Sequence, residues 1–224
     1  MAARARERRA RMKNVKLNDT TDRGALSREM AQVLQQGGLV CVPCGGRYRI
    51  LADVTNEEAV IDLLQSKGRI HKAPSLMFVD SESHLGTVAA AVHPLALKVA
   101  RAFWPEPLTL LVVPHPDLPS VIAKQLAAAH GKIGVRVPSE PLVCDAIATL
   151  GRPLLVSSAN KEKKHGETSP AQIRKNFVGR VALFIDKGDL AAEPLSTIIE
   201  VVDDKVIVTR EGAVSAEAIQ KLVG

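Results

Sequence analysis

Three groups of residues in this 224-residue chain have types and spacings that could do chemistry. Lys67 and Arg69 place two cations where a helix is expected to end. They could hold a polyphosphate, or simply complement the negative end of the helix dipole. Arg136 follows the run Ile133-Gly134-Val135 and offers a planar fork of donors suited to a carboxylate or phosphate. Ser157-Ser158-Ala159-Asn160 ends a second apolar run; its short side chains could hydrogen-bond an anion or a sugar, or form only a turn. The shared chemistry is the recognition of an anion. Cys41-Val42-Pro43-Cys44 has redox or zinc spacing, yet Cys41 falls in an expected strand and only Cys144 remains as a third thiol. Both cysteines are expected to be reduced and metal-free. The six histidines show no pair at metal spacing, and no Gly-x-Gly-x-x-Gly follows a strand.

These side chains need elements to hold them. Ile133–Val137 and Leu154–Ser157 read as short strands flanking a helix at Pro141–Leu150. If their carboxyl ends share one edge of a sheet, Arg136, Ser158 and Asn160 converge on one crevice. Upstream, Ala25–Gln36 spaces Leu26, Met30, Val33 and Leu34 as a helix, stopped by Gly37-Gly38. Leu39–Pro43 reads as a strand, Cys44–Arg49 as a loop, and Thr55 with Glu58 as a capping box for a helix to Ser66. Strands are expected at Leu76–Val79, Leu108–Val113 and Val181–Ile185, and helices at Pro94–Phe103, Pro119–His130 and Ala171–Phe177. Asp203-Asp204-Lys205 between Ser196–Val202 and Val206–Arg210 signals a hairpin, and Ser215 caps a last helix to Leu222. Alternating elements with a late hairpin predict an α/β fold with a mixed sheet.

The net charge of +6 is local. Residues 1–16 hold seven basic side chains against Glu7 alone, and the remaining 208 residues balance 23 basic with 23 acidic groups. The expected organisation is a basic, disordered tail over 1–18 and one domain over 19–224. The tail could touch RNA phosphates or serve only as a solubilising extension. No apolar run approaches the roughly 18 residues that cross a bilayer, and the N-terminus lacks a signal-type apolar region. Three cysteines without a paired framework point to a reducing, cytoplasmic setting.

Six segments in one order carry a resemblance. They are Lys67-Gly68-Arg69 with Pro74, Phe103–Thr109, Gly134–Pro138, Ser157–Asn160, Ser196–Ile199 and Arg210–Ser215. Over roughly Ala25 to Leu222 the chain resembles the YrdC family of L-threonylcarbamoyladenylate synthases, with the YciO proteins as divergent relatives. The resemblance implies a twisted open α/β sheet curling around a large cavity. It also implies a nucleotidyltransferase that uses ATP with Mg2+, L-threonine and bicarbonate to make threonylcarbamoyl-AMP for modification of a tRNA adenosine. On that pattern Lys67 and Arg69 are the catalytic, phosphate-side pair, and Asn160, Ser169 and Arg210 complete the nucleotide contacts. Tyr48, Arg136, Ser158 and Ser196 fall on the amino-acid side.

The chain departs from that pattern on the substrate side. Where the family's first strand ends in Pro-Thr-Glu-Thr-Val-Tyr-Gly-Leu, this chain reads Pro43-Cys44-Gly45-Gly46-Arg47-Tyr48-Arg49-Ile50. Phe78 replaces a histidine, Ile70 a proline, Ser157 a proline, and Ala73 a polar or basic residue. Two expectations follow: a synthase-like enzyme with altered activity, or a non-catalytic module that binds nucleotide, double-stranded RNA or tRNA.

Overall fold

The structure is a computed structural model describing residues 12–66, 75–105, 107–127, 130–160 and 169–224. Its strands are β1 (Lys13–Lys16), β2 (Leu39–Pro43), β3 (Tyr48–Asp53), β4 (Leu76–Phe78), β5 (Leu108–Val112), β6 (Ile133–Arg136), β7 (Leu154–Ser158), β8 (Val181–Asp186), β9 (Thr197–Val202) and β10 (Lys205–Arg210). They form one mixed sheet in the order β1-β8-β2-β3-β7-β4-β6-β5-β9-β10. The helices are α1 (Arg23–Gln35), α2 (Glu57–Ser66), α3 (Pro94–Phe103), α4 (Ser120–Ala127), α5 (Pro141–Leu150), α6 (Pro170–Phe177) and α7 (Ala216–Val223).

Side-chain alternation divides the core into two layers. On one face, Leu26, Met30 and Leu34 of α1 and Leu142, Val143 and Ala146 of α5 cover Val42, Leu51, Phe78 and Val156. On the other face, Tyr48, Ile50, Met77 and Leu155 pack with Ala59 and Val60 of α2, Val99 of α3, Phe177 of α6 and Ile219 of α7. Each large aliphatic side chain taken out of water in these layers contributes roughly 1.5–3 kcal/mol. Asp22 caps α1 by accepting from the Ala25 N–H, and Gly37 leaves the helix at φ +79°. Asp203 and Asp204 turn the β9–β10 hairpin at φ +48° and +59°, left-handed values that short polar side chains tolerate.

Four expectations need correction. Cys44–Arg49 is not all loop, because Tyr48 and Arg49 open β3, which pairs antiparallel with both β2 and β7. Arg49 and Asp53 interrupt the apolar pattern of a strand buried on both faces, which hides it. The α2 cap is Asn56, accepting from the Ala59 N–H at 3.0 Å, while Thr55 is tied to Asp53 by side chain and backbone. The expected tail boundary also shifts, since β1 lies inside residues 1–18 and pairs in parallel with β8. Finally, β4 lies between β6 and β7, parallel to the first and antiparallel to the second. The carboxyl ends of β6 and β7 are therefore at opposite edges of the sheet.

Candidate active site

Because β6 and β7 oppose each other, Arg136 and Ser158 do not meet at a shared strand end. Twist supplies a different convergence. In a twisted open sheet, diagonally opposite corners lift toward the same face. One corner is the β2–β3 turn, closed by the Cys44 N–H donating to the Arg47 carbonyl at 2.8 Å, with Gly45 and Gly46 at φ +62° and +63°. The other is the carboxyl end of β6. Across the diagonal, Arg136 Nη2 comes within 3.6 Å of the point that a Cβ on Gly45 would occupy.

Arg136 is only 4% exposed. Its guanidinium lies over the Phe78 ring, 5.1 Å from the centroid, and near the Cys44 thiol. Arg49 stands on the same face, opposite Ser158 in the β3–β7 ladder. The Nε atoms of Arg49 and Arg136 are both buried without a hydrogen-bond partner among the described residues. Arg210 donates through Nε and Nη2 to the Ser196 carbonyl at 3.1 and 2.6 Å, and through Nη2 to Ser196 Oγ at 3.1 Å. Thr109 donates to the same Oγ at 3.0 Å. Arg47 holds the Glu193 carbonyl at 3.0 Å, which fastens the chain ahead of β9 to the turn.

These cations oppose one another. Burial, then the nearby charge of Arg136, brings the Arg49 guanidinium down to about 10. Burial also lowers Arg136, and Arg210 is lowered by burial and then by Arg136. All of them remain charged near neutrality. Among the described residues no ion pair neutralises Arg47, Arg49, Arg136 or Arg210, and Glu193, whose charge reaches Arg136, is exposed. Such a site is charged for an anion in advance of binding one.

The other expected site residues are distributed around this cluster. Ser158, opposite Arg49 at the end of β7, donates through Oγ to Asn160 Oδ1, and Asn160 is 6% exposed. Tyr48 points into the opposite layer. Its hydroxyl donates to the Gly188 carbonyl at 2.7 Å and accepts from the Lys187 N–H at 3.0 Å, while its ring stacks on Phe184. There it positions the exit of β8. Ser169 is the half-buried residue preceding α6. Lys67 and Arg69 lie outside the described residues. Cys44 and Thr109 join the site without having been assigned to it from sequence, and Arg49, which the sequence offers as added positive charge if it points inward, joins it too. The available signal for Arg49 was its position two residues before Leu51, on the layer that Arg136 faces.

Among the described residues no group of three or more His, Cys, Asp or Glu side chains could hold an ion. Burial raises Cys41 and Cys44, and raises Cys144 to about 11. Alkylation of the native protein at neutral pH is therefore expected to reach Cys144 alone, slowly, with Cys41 and Cys44 labelled only on unfolding. Fast native labelling of Cys44, read by mass spectrometry, would mean that Arg49 and Arg136 hold a thiolate instead.

The chain is 29% identical over 194 residues to the threonylcarbamoyl-AMP synthase of Pyrococcus abyssi, covering 87% of this chain and 56% of that one. It is 32% identical over 191 residues to a putative threonylcarbamoyl-AMP synthase of Mycobacterium tuberculosis, covering 85% and 86%. The chain thus spans a little over half the length of the P. abyssi relative. The crystal structure of P. abyssi Sua5 complexed with L-threonine superposes with a TM-score of 0.81 at 28% identity, over 96% of this chain and 61% of that one. Escherichia coli YciO shares the fold, with a TM-score of 0.77 at 20% identity over 94% and 99%. Residues 32–212 match the Sua5/YciO/YrdC family model, described as telomere recombination. A mixed sheet whose diagonal corners close over buried arginines, in a chain matched along most of its length, belongs to the Sua5/YciO/YrdC family.

Proposed function

We propose that this protein is a synthase of the threonylcarbamoyl-AMP type, joining an amino acid, bicarbonate and ATP into a carbamoyl adenylate with release of pyrophosphate. The observation that carries the reading is the set of guanidiniums around Arg136 that have no ion pair among the described residues, in a chain whose relatives are named for this product. In the reaction, carbon dioxide from bicarbonate adds to the substrate amine to give a carbamate, and the amine proton leaves with the water formed. A carbamate oxygen then attacks the α-phosphorus as its bond to the β-phosphate oxygen breaks. Positioning and charge neutralisation supply most of such a barrier reduction.

Arg136 offers its fork to the carboxylate, with Ser158 beside Arg49 to orient polar groups. Arg210, fixed by three hydrogen bonds to Ser196, presents its charge toward the phosphates. Asn160 completes that side, together with Lys67, Arg69 and Ser169. Phe78 and the apolar layer under Arg136 exclude water, which strengthens each contact. Magnesium would enter with the nucleotide's phosphates and offset their charge, for the arginine cluster is no cation site. A tRNA adenosine is the downstream acceptor, and the cytoplasm the setting. Among the described residues no helix is long and apolar enough to cross a membrane.

The test is pyrophosphate release from ATP, with and without bicarbonate, across a panel of amino acids. Release that requires both bicarbonate and an amino acid is expected. Arg210→Gln should lower kcat/KM by about 10–100-fold by removing one charge-assisted contact. Absence of release with every amino acid in a protein that binds ATP would overturn the reading.

A further inference from the structure

We propose that the amino-acid side of this site takes a ligand with a second anionic group, an acidic amino acid such as aspartate or glutamate, in preference to threonine. This rests on the synthase reading for its location and specifies the substrate class of that site.

The argument begins with the number of forks. One guanidinium suffices for the α-carboxylate of any amino acid, and Arg136 provides it. Arg49 adds a second on the same face, and Arg47 a third charge at the turn. Both buried Nε atoms lack a hydrogen-bond partner among the described residues. A buried cationic donor with no partner is costly, and the deficit is removed when an anion binds. A ligand with a single carboxylate can satisfy one fork and leaves the other as it was. A ligand with two anionic groups can satisfy both.

The neighbours point the same way. A threonine hydroxyl needs a hydrogen-bond partner, and Gly45, Gly46 and Phe78 have no side-chain group to give one. Cys44, whose thiol already meets Arg136, is a weak donor. A Cβ on Gly45 would sit 3.6 Å from Arg136 Nη2, so the glycine leaves the space beside the fork free of a side chain. The charge of Arg136 depresses the ionisation of Arg49, a repulsion that an interposed pair of anions relieves.

The experiment is a calorimetric titration of the full chain, with a non-hydrolysable ATP analogue present, by L-threonine, L-aspartate, L-glutamate and O-phospho-L-serine. An acidic ligand is expected to bind at least about tenfold tighter than threonine, the effect of one charge-assisted contact. Arg49→Gln should weaken acidic ligands by about 10–100-fold and leave threonine within about threefold. Tightest binding by phosphoserine supports the proposal and identifies the second anion as a phosphate. Threonine binding as tightly as the best acidic ligand overturns it, and this ranking needs no variant. Acidic affinities unchanged in a folded Arg49→Gln protein also overturn it, and Arg47→Gln, at the half-buried turn, repeats that arm if Arg49→Gln does not fold. Acidic binding without pyrophosphate release would sink the synthase reading and spare this one, whereas release with threonine alone would do the reverse.

Discussion

Gly46→Thr is expected to destabilise the protein by about 3 kcal/mol or more, since αL backbone in a β-branched residue alone costs roughly 1–3 kcal/mol. Sterics add to that cost. A Cβ at Gly46 would lie 2.5 Å from the Glu193 nitrogen and 2.8 Å from the Ala191 carbonyl oxygen. These are backbone atoms, which cannot swing aside as a side-chain end does. Gly45→Ala is the control, with nearly the same φ of +62° but only Arg136 Nη2 nearby at 3.6 Å, and should cost about 1 kcal/mol. Urea denaturation of the two variants checks the contrast. A Gly46→Thr protein within 1 kcal/mol of the parent would show that residues 191–193 yield readily. The expectation has a functional side, because a hydroxyl at this position is what the family's first-strand pattern would place there. Here the backbone of 191–193 occupies that space, and Arg47 clasps the Glu193 carbonyl. The substitutions in the turn and the seat of the 191–193 segment therefore form one arrangement. Restoring a single family side chain would break it before it could supply a hydrogen bond.

How much of this was legible in the sequence depends on the range of the interaction concerned. The helix at Pro94–Phe103 and the β9–β10 hairpin were readable because periodicity, caps and turn residues act over a few positions. So was the place of Arg136 at the end of an apolar run, where the structure buries it. Strand direction was not readable. The connection from β6 through α5 to β7 has the length of a parallel crossover, but β4 enters between the two strands and β7 pairs antiparallel to it. No local pattern in either strand encodes that insertion. The meeting of Arg136 with the β2–β3 turn was hidden for the same reason. It is made by twist accumulated over the intervening strands, and neither segment carries a trace of the other. Tyr48 is a different case. A resemblance placed it beside the substrate, while the period-2 alternation of β3 sends it, with Ile50 and Ala52, into the opposite layer.

Arg136→Met should raise the stability of the unliganded protein while abolishing anion binding. A charge buried without a paired carboxylate costs several kcal/mol, and replacing such groups by apolar side chains of similar volume has proved neutral or stabilising by roughly 1–4 kcal/mol. Two contacts are lost. The cation–π geometry over Phe78 is worth about 0.5–2 kcal/mol, and the neighbouring Cys44 thiol is at best a weak partner. Against these, methionine fills the channel over Phe78 with an unbranched chain and a favourable sulfur–ring contact. Removal of Arg136 also relieves Arg49, whose ionisation it opposes. The net expectation is a gain of about 1–2 kcal/mol, alongside a fall in affinity for the carboxylate ligand of roughly 10²–10³-fold from loss of a bidentate contact. Arg136→Lys separates charge from shape, because it keeps the cation, loses the fork, and should gain neither stability nor affinity. Denaturant unfolding and calorimetry on the three proteins decide the matter. If Arg136→Met is instead less stable than the parent by more than about 1 kcal/mol, the guanidinium must be paired in the resting protein. The site would then be a structural ion cluster, and its unpartnered donors would no longer argue for a bound anion.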